Sequence, residues 1–199
     1  MEAIGLVGTT ENLRASLRGA TAHAHDLLDQ SMRTASGWDS LEDYAQFLTL
    51  QHAARAPVEE WLVHHASQDL LPPAQCPAIE RDLAALSRLP PLHTSAFSPI
   101  GVSGTEGQVL GVAWVLAGSS LGNRSILKEV VRTGHGKWPI AFLGDGSMLT
   151  YWQTLRRRIE RPAEAEEAGA ASAAAAAVFD HFVRVAQTAA GPSVTETVQ

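Results

Sequence analysis

The sequence predicts an all-α protein that folds as a single domain over residues 1–190. Apolar residues recur every three or four positions along successive segments, which is the period of one face of an α-helix. No segment alternates apolar and polar residues as a half-buried strand does, and prolines and glycines separate the helical segments. Of the 199 residues 45% are hydrophobic, which is enough apolar surface for one core.

Two long helices are predicted in the first third of the chain. The first covers about 10–32, because apolar residues recur along one face, namely Leu13, Leu17, Ala20, Ala24 and Leu28. The second follows Ser40, whose spacing to Asp43 resembles a capping box, and it continues to His65. Pro57 lies inside this second helix and is predicted to bend or divide it.

Four further helices are predicted in the rest of the chain. The third, about 77–88, lies between two proline-rich stretches. The fourth begins at Thr105, where Gln108 stands at the position of a capping-box partner. The fifth covers about 147–160. The sixth covers about 162–188, with a proline in its first turn and an alanine run in its middle.

Composition excludes several classes of protein. The net charge of −6 gives no general reason to bind nucleic acid, and no run of 18 apolar residues predicts a membrane span. Cys76 is the single cysteine, so the chain forms no internal disulfide, and the first residues lack the basic start of a signal peptide. We therefore expect a cytoplasmic protein with no membrane or nucleic-acid partner. Its tail, 191–199, is expected to fray.

Two histidines lie two positions apart in the first helix, at His23 and His25. On a helical wheel with Leu17 at zero, His25 lies at about 80°, beside the apolar face, and His23 at about −120°, toward water. Arg14 and Arg18 lie at about 60° and 100°, on the edge that carries His25. This edge suits a flat ligand with a central metal and carboxylates at its rim, such as heme. A boundary histidine hydrogen-bonded to a neighbour, with solvated arginines, gives the same pattern.

The fourth helix contains two glycines four residues apart, Gly118 and Gly122, in an otherwise apolar segment. Each glycine costs about 1 kcal/mol of helix stability relative to alanine, so a compensating role is expected. The pair removes the side chains from one face, which lets a flat molecule approach the backbone and lets the helix kink. Close helix packing or a break between two helices would explain the pair equally.

Together these two segments resemble the heme oxygenase family, particularly its bacterial, biliverdin-producing branch found beside bacteriophytochromes. The first match runs from Leu13-Arg14 through Ala20-Thr21 to His25, and the second is Gly118-Ser119-Ser120-Leu121-Gly122. Weaker matches are Tyr44, Phe47, Pro57 and Glu59 in the second helix and Trp152, Leu155 and Arg157 in the fifth. The similarity covers about residues 11 to 160.

The resemblance implies a helical bundle with heme between a proximal helix and a kinked distal helix. It implies that His25 is the iron ligand and that the backbones of Gly118 and Gly122 lie over the distal face, with Ser119 in the catalytic segment. Arg18 and Arg157 would contact the propionates, and Arg14 lies on the same edge as Arg18.

The reaction implied by the family is the oxidation of heme by O₂ and electrons to biliverdin, carbon monoxide and ferrous iron. Heme is then both cofactor and substrate, and iron is the metal. An electron donor such as ferredoxin and a bacteriophytochrome as biliverdin acceptor are the implied partners. The basic run from Arg156 to Arg161 is typical of a solvated face and could also dock an acidic electron donor.

The sequence also departs from the family. Asn123 and Arg124 follow the second glycine, where many members have a small residue, and Ser119 replaces the aspartate of mammalian members. A protein of the same fold that binds heme or bilin without turnover therefore remains an alternative, as does a helical protein without heme. No glutamate is followed by histidine three positions later, so a di-iron carboxylate bundle lacks its motif. A thiaminase-like enzyme would use Cys76 as nucleophile, in a predicted loop.

Overall fold

A computed structural model describes residues 12–92, 95–97 and 104–190, and within these ranges the chain forms six α-helices and no strand. The all-α prediction is confirmed. The predicted tail, 191–199, lies outside the described residues. The helices are α1 (Leu13–Ala35), α2 (Leu41–His65), α3 (Cys76–Ala85), α4 (Glu106–Thr133), α5 (Ser147–Ile159) and α6 (Ala165–Ala190).

The predicted helix starts are confirmed where side chains cap the backbone. The Ser40 hydroxyl accepts a hydrogen bond from the backbone N–H of Asp43, and the Asp43 carboxylate accepts one from the backbone N–H of Ser40. At the start of α4 the Gln108 side chain accepts from the backbone N–H groups of Gly104 and Thr105. These caps satisfy amides that a helix start leaves without partners.

The boundaries of α1, α3 and α6 differ from the prediction, and α1 ends at Ala35, three residues later than expected. Helix α3 begins at Cys76 itself, so this cysteine is helical and not in a loop, and the helix ends before Ser87, whose φ of 56° is left-handed. Helix α6 begins at Ala165, three residues after Pro162. Pro162 instead pairs with Asn12 in an isolated antiparallel bridge, which keeps this stretch extended.

Helix α2 continues through Pro57, which is buried inside it and does not divide it. Proline has no amide hydrogen to donate to the carbonyl of Ala53, four residues earlier. Next to it, the Nε2 of His181 on α6 lies 3.1 Å from the carbonyl oxygen of Ala54. Because a carbonyl only accepts, Nε2 carries the proton and the buried Nδ1 is left without a partner.

Helix α6 packs against both α1 and α4, while α1 and α4 make little contact with each other. At one end of the bundle the backbone N–H of Leu13 donates to the carbonyl oxygen of Arg161. Further along, the ring of His25 on α1 lies 6.0 Å from the ring of Phe179 on α6. Helices α1 and α6 therefore run in the same direction.

Helix α4 meets α6 through glycine. A β-carbon added to Gly107 would lie 3.1 Å from the carbonyl oxygen of Glu167, and one added to Gly111 would lie 2.1 Å from that of Ala171. These two backbones are in contact, and α4 also runs parallel to α6. None of the helices in the described ranges is long and apolar enough to cross a membrane.

Acid is expected to destabilise the fold through His181, because burial lowers the pKa of this imidazole and Arg184 lowers it further. A histidine whose pKa is lower in the folded state leaves stability unaffected above the unfolded pKa of about 6.5 and costs stability below it. The cost reaches at most about 1.4 kcal/mol for each pH unit below that value. Denaturant unfolding at pH 7 and pH 5 measures it, and the loss between these pH values should be smaller in His181→Phe. An equal loss in this variant would contradict the assignment.

Candidate ligand-binding site

In α1 and α4 the buried residues lie mainly in the first half of each helix. In α1 the buried residues are Leu13, Leu17 and Thr21, and every residue from 22 to 35 is exposed or half-buried. In α4 all residues from 107 to 117 except Trp114 are buried, whereas Ser120 alone is buried between 118 and 129. Part of each second half still packs against the core, since Met32 of α1 and Ile126 and Leu127 of α4 are half-buried there, but the remaining surface of these two halves is exposed or half-buried.

Large apolar side chains are exposed on these second halves. The side chain of Leu27 on α1 is 40% exposed, and that of Leu121 on α4 is 46% exposed. The predicted apolar face of α1 is also only partly covered, since Ala24 and Leu28 are half-buried and Ala20 is exposed. Exposed apolar surface of this kind is typical of a ligand-binding face.

The glycine pair lies in this open half of α4. The helix is α-helical through both positions, so the pair is not a break. Among the described residues, a β-carbon on Gly118 would have its nearest neighbour 4.0 Å away, in the ring of Trp152, and one on Gly122 would meet nothing within 4 Å. Close packing explains Gly107 and Gly111 on the same helix, but it does not explain Gly122. A bare backbone face toward open space remains, and a flat molecule could lie against it.

Trp114 precedes Gly118 by one turn, so the two lie on the same side of α4. Its indole Nε1 is buried and donates to no acceptor among the described residues. Buried donors without a partner are rare and indicate an acceptor that binds there, such as a ligand oxygen or ordered water. Trp114 was not predicted as a site residue, although it precedes Gly118 and Gly122 at a regular spacing of four residues.

The imidazole of His25 is more accessible than a position at the edge of a core implies. Its side chain is 62% exposed, and its one ring neighbour is Phe179. The carboxylate of Asp29, one turn later, lies 3.5 Å from Nδ1. A carboxylate on that side favours the proton on Nδ1, which leaves the Nε2 lone pair for a metal. The other histidine, His23, is exposed and has no polar partner among the described residues.

The predicted arginines differ in their partners. Arg14 donates to Glu160 at 2.8 Å, and the same carboxylate oxygen also accepts from Arg156. By contrast, Arg18 and Arg157 are exposed and form no ion pair with any residue in the described ranges. An arginine without a partner can bind an incoming carboxylate at a lower cost than one that must leave an ion pair.

The basic run on α5 and after it is largely neutralised. Besides Arg156, the guanidinium of Arg158 pairs with Asp69 and that of Arg161 with Glu167. Exposed pairs of this kind contribute little to stability, but they reduce the positive field that an acidic partner would meet.

The residues at which the sequence departs from the family lie on different sides of α4. Asn123 and Arg124 line a cavity of about 200 Å³ that also contains Gln75 and Asp145. On the helical wheel they lie about 100° or more from each of the two glycines, so they do not share the glycine face. The Ser119 hydroxyl donates to the carbonyl oxygen of Leu116 at 2.7 Å and accepts from Arg55 at 2.6 Å.

Cys76 is a poor nucleophile in this fold. The thiol is buried at the first turn of α3, and burial raises its pKa, with the nearby carboxylate of Glu59 adding to the effect. Nucleophilic cysteines need the thiolate form and access to substrate. These observations argue against a thiaminase-like reaction at this position.

No protein-family model matches this chain, and no curated protein sequence matches it either. Among solved structures, the chain is similar to the NO- and CO-bound heme oxygenase from Neisseria meningitidis. The two are 19% identical, the match covers 92% of this chain and 94% of that chain, and the TM-score is 0.73. At this level of identity the likeness shows the fold, which is that of a heme oxygenase.

Proposed function

We propose that this protein is a heme oxygenase, which oxidises heme with O₂ and electrons to biliverdin, carbon monoxide and ferrous iron. The observation that carries the proposal is the bare face at Gly118 and Gly122, in a continuous helix whose second half is largely exposed or half-buried. The exposed imidazole of His25, on the largely exposed second half of α1, and the shared fold support it.

The residues present fit a heme. His25 would bind the iron through Nε2, and Asp29 would orient the ring through Nδ1. The glycine pair offers a bare backbone to a flat macrocycle. The unpartnered Nε1 of Trp114 would donate to a carboxylate or to ordered water. Arg18 and Arg157 are the proposed propionate contacts. Arg14 would have to break its ion pair with Glu160 before it could bind a propionate.

When bound, heme would supply the iron that activates O₂ and the ring that is oxidised. The chain's own residues would bind and confine it. The imidazole of His25 would hold the iron, and the backbone from Gly118 to Gly122, which carries no side chain at either glycine, would leave room for a small reactant. The one hydroxyl proton of Ser119 is donated to Leu116, so Ser119 would act by positioning α4 and not by donating a proton.

The wider role follows from the same proposal. Electrons would come from a donor such as ferredoxin, and biliverdin would pass to an acceptor such as a bacteriophytochrome in the cytoplasm. With Arg156, Arg158 and Arg161 already paired, the basic run would present a reduced positive field to an acidic donor.

A binding protein of the same fold that holds heme or bilin without turnover is the second candidate. One observation favours this second candidate. The hydroxyl of Ser119 already bonds to Leu116 and Arg55 within the protein, and no other side chain from Gly118 to Gly122 carries an acidic group. Such a site would bind heme tightly and leave its absorption unchanged under reducing, aerobic conditions.

Turnover of bound heme distinguishes these functions. We expect the hemin-reconstituted protein, given a reductant and O₂ in the presence of catalase, to lose its Soret band and to develop bilin absorption. Catalase removes peroxide, which could degrade heme without the enzyme. An unchanged Soret band would support the binding protein. Failure to form a Soret band with added hemin would reject both the heme oxygenase and a heme-binding protein.

A further inference from the structure

A charged side chain is buried next to the glycine segment of α4, which we define as residues Gly118 to Ser125. Arg55 of α2 is 1% exposed, its Nη2 donates to the Ser119 hydroxyl at 2.6 Å, and its Nε donates to Gln51 at 3.1 Å. The guanidinium lies 5.2 Å from the ring centre of Phe142. No carboxylate of the described chain lies within 4 Å of it, and Nη1 has no hydrogen-bond partner. A buried charge held this way is costly, so a specific role is expected.

The surroundings of Arg55 are themselves fixed. Phe142 is held by Asp82, whose carboxylate accepts from its backbone N–H at 2.8 Å. The carboxylate of Glu59 accepts from the backbone N–H groups of Gln75 and Cys76. Burial lowers the pKa of Arg55, and the negative charge of Glu59 counters this effect. The guanidinium is therefore a rigid donor and not a mobile surface group.

The glycine segment has few other anchors. From Gly118 to Ser125, Ser120 is the one buried residue, and its hydroxyl bonds to the carbonyl of Ala117 within the same helix. Among the described residues, the bond from Arg55 to Ser119 is the one hydrogen bond that links this segment to another helix. Two glycines in a segment with so little packing favour local opening, because glycine is a poor helix former.

We infer that Arg55 is a positioning residue, which holds the bare glycine face of α4 in place by its hydrogen bond to Ser119. The bond acts from the flank of the helix, since Ser119 lies about 60° to 100° around α4 from the two glycines. Arg55 thus holds the helix in place of side-chain packing, because packed side chains would fill the face that the ligand needs. The inference rests on the proposed function for its purpose, but the restraint itself exists without heme.

Amide hydrogen exchange on the heme-free protein tests the restraint directly. We expect Arg55→Met and Ser119→Ala each to raise exchange of the amides from 118 to 125 by about tenfold, since a hydrogen bond to a charged group is lost. The double variant should exchange no faster than the single ones, because both remove the same bond. Ser120→Ala is the matched control, since its hydroxyl bonds only within α4, and it should exchange as the wild type does.

Global stability must be measured with the exchange. Replacing a buried charge by an apolar side chain of similar size often leaves stability unchanged, so the denaturation midpoint of Arg55→Met should stay near that of the wild type. Unchanged exchange in Arg55→Met and Ser119→Ala would overturn the inference, as would additive effects in the double variant. If Arg55→Met does not fold, Ser119→Ala and Arg55→Lys provide the same comparison.

A heme measurement then connects the restraint to the site. Transfer of ferric heme to excess apomyoglobin should be about tenfold faster from Arg55→Met and Ser119→Ala than from Ser120→Ala. Equal transfer rates would show that the restraint does not serve ligand binding and would overturn that part of the inference. Absence of any Soret band in the wild type would instead reject the proposed function, while the exchange result would still decide the role of Arg55.

Discussion

Gly111→Ala and Gly122→Ala are expected to change the stability of the heme-free protein in opposite directions. Gly111→Ala should lower the free energy of unfolding by about 1–3 kcal/mol, because its β-carbon would lie 2.1 Å from the carbonyl oxygen of Ala171 and the helices must separate. Gly122→Ala should raise it by up to about 1 kcal/mol, because the new methyl group meets nothing within 4 Å and alanine favours the helix.

Urea denaturation of the two variants measures both effects, and the same substitution on the same helix makes each variant the control for the other. A destabilised Gly122→Ala would mean that this glycine has a structural role, and the main observation behind the ligand site would be lost. Stabilisation would mean that the wild-type glycine lowers the stability of the heme-free fold, as expected of a residue kept for a ligand.

Gly122→Leu extends this prediction to heme. Its isobutyl group would project from the bare face, where the macrocycle is proposed to lie, and no described residue lies within 4 Å of the β-carbon that it extends from. We expect hemin titration to show at least a hundredfold loss of affinity with the far-ultraviolet circular dichroism of the heme-free protein unchanged. Unchanged affinity would contradict the proposal that heme lies on this face.

His25→Ala is expected to remove the axial bond to heme iron, whereas His23→Ala should leave the heme spectrum nearly unchanged. Residues two apart on a helix point about 200° away from each other, so His23 and His25 cannot bind one iron. The ferric absorption spectrum of His25→Ala should change, and its heme should transfer to apomyoglobin at least ten times faster than wild-type heme.

Added imidazole provides a rescue for this variant. The His25 side chain is largely exposed, so a free imidazole can reach the position that the alanine leaves empty. It should restore the ferric spectrum of His25→Ala at millimolar concentration and should leave His23→Ala unaffected. The reverse pattern, in which His23→Ala alone changes the spectrum, would refute the assignment of His25.

Much of the fold could be predicted from the sequence because its signals are local. The Ser40 and Asp43 cap, the cap by Gln108 and the period of the apolar residues depend on neighbours within one or two turns. Predictions were wrong where distant parts of the chain compete with local preference. Pro162 was predicted in the first turn of the last helix, but it lies outside α6 and pairs with Asn12.

The candidate site was only partly visible in the sequence. The glycine pair and His25 stand out by residue type and spacing. Arg55 lies on the apolar stripe of α2, between Gln51 and Val58, and a charged residue at such a position was a signal that could have been used. Its partner Ser119 could not have been found, because the two are 64 positions apart.

The sequence by itself determined the helical class, the principal caps and the residues that could serve a heme, since these follow from periodicity and side-chain chemistry. Only the tertiary structure decided which glycines pack and which stay bare. In the sequence, Gly111 and Gly122 are both glycines inside one predicted helix and cannot be told apart. In the structure, α6 packs against Gly111 and leaves the space beside Gly122 open. A glycine's purpose depends on what occupies the space beyond its α-carbon, and that space is created by packing between distant helices.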